Sequence, residues 1–377
     1  MENNDGKKSL RKTLRILKIK IIDRYIIRKF LGTFFFSLVL ILTIAVVFDL
    51  AEKIDNFMEN SAPLKAIVLD YYMNFIPYFA TLFAPLFVFI SVIFFTSKLA
   101  VNTEIIAILN SGMSFRRMML PYFLSAVVIA VFTFTLTNFV IPHSNLRRMD
   151  FENQYYRARG NAPKMNLHRK LSDSVYLYME SYNPLINSGK DFTLDQFDDS
   201  GKLVSKLSSM VVTYDSVLNK WKAVNYYIRD IKDGEEVITQ GESIDTTLAI
   251  RPVDLSRDPA FVGTMTYTEL NDYIKLLRLQ GSEEIKIFLV EKHRRFSNPF
   301  AIFILTLIGV SLSSVKKRGG IGMNIGIGLT LSFSYILFLQ FASQFSLKGN
   351  LEPMLAMWIP NILYTIIALV LYKIAPK

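Results

Sequence analysis

Residues 71–97 read YYMNFIPYFATLFAPLFVFISVIFFTS, 27 consecutive positions without Asp, Glu, Lys, Arg or His. A bilayer core of roughly 30 Å needs about 20 apolar helical residues, so this stretch is long enough to cross a membrane. The other uncharged stretches of comparable length are 30–48, 118–142, 296–315, 319–347 and 353–372. One stretch alone could be a buried helix of a soluble protein, but six in one chain predict six transmembrane helices.

The composition agrees with a lipid environment. Of the 377 residues, 51% are hydrophobic, 13% are aromatic and 20% are charged, and the mean hydropathy is +0.30. In soluble domains, charged residues usually make up about a quarter of all residues. The chain has no cysteine, which excludes disulfides, thiolate zinc sites and cysteine nucleophiles.

The formal charge of +11 is distributed unevenly along the chain. Residues 1–29 carry ten Lys or Arg against three acids, whereas residues 49–70 carry five acids against two bases. Residues 143–295 carry equal numbers of each sign. The positive-inside rule then places both termini in the cytoplasm and residues 143–295 outside. Membrane orientation therefore explains the excess of bases without any nucleic-acid partner.

The block 143–295, between the third and fourth spans, reads mostly as short strands. One alternating apolar set consists of Val175, Leu177 and Met179. Strands without helices between them favour a sandwich or jellyroll over a βαβ sheet. Thr266 and Glu269 have capping-box spacing, so the block is expected to end in helices. The predicted fold is an integral membrane α-helical protein with six transmembrane helices and a large β-jellyroll-like external domain inserted between helices 3 and 4.

Several kinds of chemistry are missing from the sequence. The predicted spans carry no charged side chain in their interiors, which argues against an ion-coupled transporter. The chain has no G-x-x-x-x-G-K-[ST] phosphate loop, and its three histidines lack the H-E-x-x-H spacing. We therefore expect no enzyme active site, no metal site and no cofactor on this chain. Gly322 and Gly326 have the G-x-x-x-G spacing of close helix packing, with a gating hinge as the alternative.

The segment 103–112, TEIIAILNSG, carries the strongest functional signal. Thr103 is expected to cap a short helix, and Gly112 to end it. The apolar stripe of this helix consists of Ile105, Ile108 and Leu109. The helix is too short to cross a membrane. It either lies on the membrane surface or enters a groove on a soluble partner, with Glu104 as its one carboxylate.

Motifs along the whole chain resemble those of a known family. They are Asp23–Arg24–Tyr25–Ile26, the segment 103–117, Val140–Ile141–Pro142, Arg294–Arg295–Phe296–x–x–Pro299 and Trp358–x–Pro360–Asn361. In this order they resemble the YjgP/YjgQ permeases, LptF and LptG, of the lipopolysaccharide-exporting ABC transporter. The Asp23–Tyr25 motif favours the LptG-like half.

The resemblance implies a permease subunit that extracts lipopolysaccharide from the inner membrane and passes it to a periplasmic β-jellyroll bridge towards the outer membrane. The implied partners are a second LptF-like or LptG-like permease, an LptB-type ATPase dimer that binds ATP and Mg, and LptC- and LptA-type jellyroll proteins. The implied organisation is a basic cytoplasmic N-terminus 1–29, membrane region 30–142, periplasmic domain 143–295 and membrane region 296–377. Residues of the family's coupling helix would be Glu104, Ile105, Ile108, Leu109, Gly112, Arg116 and Arg117.

Lipid phosphates are expected to meet bases near the outer face, and our candidates are Lys53, Arg147 and Arg148. For the two arginines a solvated helix face is the alternative. LptG-type chains have a lysine near the outer end of the first span, where this chain has Asp49. The set Val175, Leu177 and Met179 is a candidate for a lipid channel inside the jellyroll, with an ordinary core as the alternative.

Two other function classes remain open on the sequence. One is a permease of another ABC system that releases lipoprotein or drives mechanical work. The other is a membrane scaffold or enzyme without an ATPase.

Overall fold

The computed structural model describes residues 20–155, 164–184, 186–216, 218–232, 235–248, 259–282, 284–314 and 320–375, together with Ile250, Pro252 and Leu255. Its helices are α1 Ile21–Glu59, α2 Leu64–Val101, α3 Glu104–Asn110, α4 Phe115–Tyr155, α5 Tyr267–Leu279, α6 Ile285–Ser313, α7 Gly320–Lys348 and α8 Pro353–Ile374. Among the described residues, six helices (α1, α2, α4, α6, α7 and α8) are long and apolar enough to cross a membrane. The prediction of six transmembrane helices is confirmed.

Local sequence explains where several helices begin. The Ser114 side chain accepts a hydrogen bond from the backbone N–H of Arg117 at the start of α4. Thr266 and Glu269 form the predicted capping box at the start of α5, because each side chain bonds the backbone N–H of the other residue. Pro353 occupies the first turn of α8, where its missing N–H is not needed.

Contacts divide the chain into two compact units. The membrane unit comprises the described parts of Met1–Glu52, Ile76–Val140 and His293–Lys377. The sheet unit comprises those of Lys53–Phe75 and Ile141–Lys292.

The core of the membrane unit forms around one face of α1. Ile26, Phe30 and Phe34 recur every four residues on this face and are fully buried. The ring of Phe30 packs against Phe95 of α2 and Tyr122 of α4, with ring centroids 6.1 and 6.2 Å away. These contacts join the first three spans into one core.

A polar network joins the last three spans of the membrane unit. The Asn361 side chain in α8 accepts a hydrogen bond from the Tyr335 hydroxyl of α7 at 2.9 Å. Its amide nitrogen donates to the backbone carbonyl of Ser297 in α6 at 3.0 Å. All three residues are buried. Both polar atoms of the Asn361 side chain are therefore satisfied in a region without water.

The sheet unit contains an antiparallel sheet of six strands among the described residues. They are β1 Lys164–Lys170, β2 Val175–Asn183, β3 Ser188–Phe197, β4 Leu203–Asp215, β5 Lys220–Lys232 and β6 Glu235–Thr246. Each strand pairs with the next in sequence, so the connectivity is that of a meander. The Greek-key crossings of a strict jellyroll do not occur among these described strands. An external β-rich domain between the third and fourth spans is nevertheless what the sequence predicted.

One face of the sheet forms the core of this unit. The row Leu177, Leu194, Leu207 and Ile228 runs across β2 to β5 in register. Trp221 is fully buried, and its indole N–H donates to the carbonyl of Ile250 at 2.9 Å. Ile250 and Leu255 belong to the same buried cluster and cover part of this apolar face.

Candidate functional site

The short helix α3 lies between the spans α2 and α4, where the sequence predicted it. It ends at Asn110, and Gly112 follows with a φ of +86°, so the predicted terminator is confirmed. The predicted cap is wrong. Thr103 adopts the left-handed conformation (φ 60°, ψ 10°), and its hydroxyl donates to the carbonyl of Asn102 at 2.6 Å instead of accepting from the helix.

The apolar stripe of α3 faces the membrane unit itself. Ile105 is 1% exposed within the core cluster that contains Phe30 and Tyr122, and Ile108 and Leu109 pack against the same cluster. The stripe therefore fixes α3 to its own bundle, and Ile105 has no surface left to enter a groove on a partner. The exposed face of α3 carries Ile106, which is 49% exposed.

The carboxylate of Glu104 is held by two neighbours. The Tyr25 hydroxyl donates to Oε2 at 3.1 Å, and the Asn102 side chain donates to Oε1 at 3.3 Å. Tyr25 lies in the first turns of α1, so this contact joins the beginning of α3 to the base of the first span. Glu104 is partly exposed, and both of these donors are neutral.

A second contact joins the base of α1 to the residues that follow α3. Arg117 donates two hydrogen bonds to Asp23, Nη1 to Oδ1 at 2.7 Å and the other nitrogen to Oδ2 at 2.5 Å. The backbone N–H of Lys20 also donates to Oδ2, at 2.7 Å. Asp23 is 1% exposed and lies before the apolar stretch 30–48. Arg117 is therefore bound to Asp23 of the same chain, whereas the adjacent Arg116 is exposed.

The electrostatics of this ion pair favour the charged forms. Burial raises the pKa of the Asp23 carboxyl, but the hydrogen bonds from Arg117 and from the Lys20 backbone lower it, and the net pKa lies below the ordinary value. The hydrogen bond to Asp23 raises the pKa of Arg117. Both groups are therefore ionised at neutral pH.

The lysine proposed for phosphate contact lies on an aromatic cluster in the sheet unit. The Lys53 ammonium donates to the hydroxyl of Tyr71 and lies 5.0 Å from the centroid of its ring. Tyr71 also packs against Phe57 and Phe151, with centroids 5.5 and 5.4 Å away. Sequence reasoning missed Tyr71, although its position at the start of an uncharged stretch is typical of interfacial aromatics.

The two candidate arginines have different surroundings. Nε of Arg148 forms an ion pair with Oε1 of Glu152 at 3.4 Å, one helical turn further along. Arg147 is exposed. The structure thus brings Lys53 into the aromatic cluster that contains Phe151, and it leaves Arg147 as the more accessible arginine.

The structure also shows the surroundings of the candidate glycines and of the candidate channel residues in the sheet. Gly322 and Gly326 are exposed, and a Cβ at either position would meet no atom within 4 Å, so neither packs closely within the described chain. Gly309 of α6 does pack closely, since a Cβ at this position would lie 2.8 Å from a methyl group of Val92. In the sheet, Val175 is half-buried. Leu177 and Met179 are at most 1% exposed inside the packed core, which matches the ordinary-core alternative.

Comparison with known proteins agrees with this architecture. A family model described as "Lipopolysaccharide export system permease LptF/LptG" matches residues 24–374. The chain is similar to the lipopolysaccharide export system permease protein LptF of Escherichia coli (strain K12) and to the protein of the same name from Shigella flexneri. Each is 25% identical over 365 residues, which cover 93% of this chain and 94% of the relative.

These relatives are named LptF, whereas the Asp23–Tyr25 motif favoured the LptG-like half. The family model includes both, so the assignment to one half stays a prediction. The match favours lipopolysaccharide export over the two other function classes. The family model spans nearly all of the chain, whose described residues include a β-rich insertion and six helices long and apolar enough to cross a membrane. The protein therefore belongs to the LptF/LptG family of lipopolysaccharide export permeases, multi-pass inner-membrane proteins that are permease subunits and not catalytic enzymes.

Proposed function

We propose that this chain is one of two permease subunits of an ABC transporter that extracts lipopolysaccharide from the inner membrane and passes it to a periplasmic β-jellyroll bridge. The observation that carries the proposal is the attachment of α3, a helix of 7 residues between two spans, to the base of α1. A force applied to this helix acts directly on the first span. The other subunit is an LptF-like or LptG-like permease.

The energy comes from outside the chain. The sequence has no phosphate loop, so ATP and Mg bind to an LptB-type ATPase dimer in the cytoplasm. The charge distribution supports this orientation, since the bases concentrate in residues 1–29 on the same side as α3. The sheet unit then lies in the periplasm.

The contact with the ATPase uses the exposed parts of the coupling segment. Ile106 offers an apolar side chain, and Glu104 offers a carboxylate whose present donors are neutral. An arginine on the ATPase would bind Glu104 more strongly than Tyr25 does, because a charge-assisted bidentate pair fixes both distance and angle. Closure of the ATPase pair then moves α3 together with α1 and narrows a cavity between the two permeases.

The lipid must remain shielded along its path. Exposing acyl chains to water costs about 0.8 kcal/mol per CH₂, which amounts to tens of kcal/mol for a lipid with several chains. Lys53 is our first candidate for a lipid phosphate, since its ammonium lies at the end of α1 beside a cluster of interfacial aromatic rings. Arg147 and Arg148 are the second.

The edge of the sheet supports the transfer step. β6 pairs only with β5 among the described strands, and most of its side chains are exposed. A free edge can accept a strand from another chain. LptC- and LptA-type jellyroll proteins would extend the sheet from such an edge, so that the lipid passes from one apolar face to the next.

The test is ATP-dependent release of lipopolysaccharide from proteoliposomes that contain the full complex. Glu104→Ala should copurify with the ATPase in reduced amount and should lose ATP-coupled release. Glu59→Ala, which removes an exposed acid at the other end of α1, is the matched control and should release lipid normally. Normal release by Glu104→Ala would remove this residue from the mechanism, and release by the isolated subunit without any ATPase would refute the proposed function.

A further inference from the structure

The membrane unit contains an apolar groove of about 410 Å³ between α4, α6 and α8. Phe123, Phe303 and Tyr372 are among the side chains that line it. A second groove of about 520 Å³ lies beside the first, shares Phe123 and Phe303 with it and extends to Trp358. Pockets of roughly 300–1,000 Å³ are typical of sites for small molecules and lipids.

One end of the groove carries a positive charge. Arg116 lines it and shares a helix face with Leu120 and Phe123, since these residues are separated by about one turn each. Arg116 is exposed and lies two residues before the uncharged stretch 118–142, at the boundary of the hydrocarbon. The adjacent Arg117 points elsewhere, to Asp23. The depth from Arg116 to Ala126 is about 15 Å, half of a bilayer core.

The wall of the groove also contains an unsatisfied hydroxyl. Thr306 lines the groove and is 3% exposed, and its Oγ1 finds no hydrogen-bond partner among the described residues. Thr365, on the facing helix, donates instead to the carbonyl of Asn361. A buried hydroxyl without a partner in hydrocarbon is costly, and a polar atom on the molecule that fills the groove would satisfy the Thr306 hydroxyl.

The depth of that hydroxyl matches a lipid ester. The rings of Phe123 and Phe303 lie 5.2 Å apart, which fixes the register between α4 and α6. α6 runs antiparallel to α4. Thr306, three residues after Phe303, therefore lies level with Leu120, which is about 6 Å deeper in the membrane than Arg116. In a glycerophospholipid the ester carbonyls lie just below the phosphate, so one molecule can reach both groups.

We infer that this groove holds one acyl chain of an anionic phospholipid, with its phosphate on Arg116 and an ester carbonyl accepting a hydrogen bond from the Thr306 hydroxyl. The orientation given under the proposed function places this lipid in the cytoplasmic leaflet, and the inference does not otherwise depend on lipopolysaccharide export. Basic pockets between transmembrane helices on that side are typical sites for anionic headgroups.

The test measures phospholipid that copurifies with the complex. The complex is purified in mild detergent with equal amounts of phosphatidylglycerol and phosphatidylethanolamine of identical chains, and bound lipid is quantified by mass spectrometry. One basic residue near the membrane surface should favour phosphatidylglycerol about fivefold. Arg116→Gln should abolish this preference, and Arg116→Lys should keep it. Leu307→Trp, which fills the groove, should reduce retention of both lipids.

Two further variants separate this site from general lipid contact. Arg28→Gln removes an exposed arginine near the same boundary that does not line the groove, and it should retain phosphatidylglycerol as the unaltered protein does. Thr306→Val should lower retention of both lipids without changing the preference. Thermal midpoints confirm that each variant is folded.

Three outcomes would overturn the inference. They are unchanged phosphatidylglycerol retention by Arg116→Gln, equal retention of both phospholipids by the unaltered protein, and release of the bound lipid by millimolar inorganic phosphate or by lipopolysaccharide. Phospholipid retention is measured without ATP. A negative result in this experiment therefore does not contradict the proposed export activity, and loss of export activity does not contradict phospholipid binding.

Discussion

Asp23 and Arg117, 94 residues apart in sequence, form a bidentate ion pair between the first turns of α1 and α4, with the carboxylate buried and the guanidinium partly exposed. Two residues beyond Asp23, the Tyr25 hydroxyl bonds Glu104 at the beginning of α3. The base of α1 therefore holds the coupling segment on both sides. Movement of α3 is expected to displace the first and third spans together.

Removing one partner of this pair should be costly. Asp23→Asn leaves the partly exposed Arg117 without its carboxylate partner, and we expect a loss of about 1–3 kcal/mol. The measurement is the thermal midpoint of the purified complex. Arg24→Gln, at an exposed position of the same turn, is the control. A loss no greater than that of Arg24→Gln would contradict the structural role of the pair.

Two adjacent isoleucines of α3 should behave differently. Ile105→Ala removes a buried side chain and should cost about 2–4 kcal/mol of stability, seen as a lower thermal midpoint. Ile106→Ala should change stability by less than about 0.5 kcal/mol. It should instead weaken copurification of the ATPase. The opposite pattern, with Ile105→Ala stable and defective in ATPase binding, would show that the stripe of α3 faces the partner after all.

Two glycines offer a matched comparison of helix packing. Gly309→Ala places a methyl group against Val92 and the ring of Phe89, and overpacking of this kind costs about 1–3 kcal/mol. Gly326→Ala meets open space and should raise helix stability by up to about 1 kcal/mol. Both are read from thermal midpoints. If Gly326→Ala leaves the subunit folded but lowers recovery of the second permease, the face of α7 that carries Gly322 and Gly326 belongs to the interface with that permease.

The charge of Lys53 should matter for lipid transfer. Lys53→Met should slow lipopolysaccharide release about fivefold if the ammonium binds a lipid phosphate, whereas Lys53→Arg should keep most of the rate. The rate is measured in proteoliposomes under saturating ATP. Tyr71→Phe removes the hydroxyl that accepts from Lys53 and keeps the ring, so it tests whether this contact positions the lysine. Unchanged release by Lys53→Met would exclude the lysine as a phosphate ligand.

The sequence predicted features that depend on neighbours along the chain. Uncharged stretches located the six spans, because hydrocarbon excludes charge wherever the helix lies. The capping box of Thr266 and Glu269 needed only a spacing of three residues. The termination of α3 just before Gly112 needed only a residue that tolerates positive φ.

Features that depend on distant residues were not predictable in this way. The stripe of α3 has the same periodicity whether Ile105 packs on its own bundle or on a partner, so the sequence could not choose between them. Arg117 looked available because Asp23 lies far away in sequence. Thr103 has the residue type of a cap, but its left-handed backbone turns the hydroxyl back to Asn102.

The amide of Asn361 has a practical consequence for engineering this family. It bridges α6 and α7 from its place on α8, so exchanging one of these helices without the other two can leave a buried polar group without its partner. Chimaeras between relatives should exchange these three helices as a single cassette. Grafts that cut between them are expected to be less stable, because a buried polar group loses its hydrogen bond.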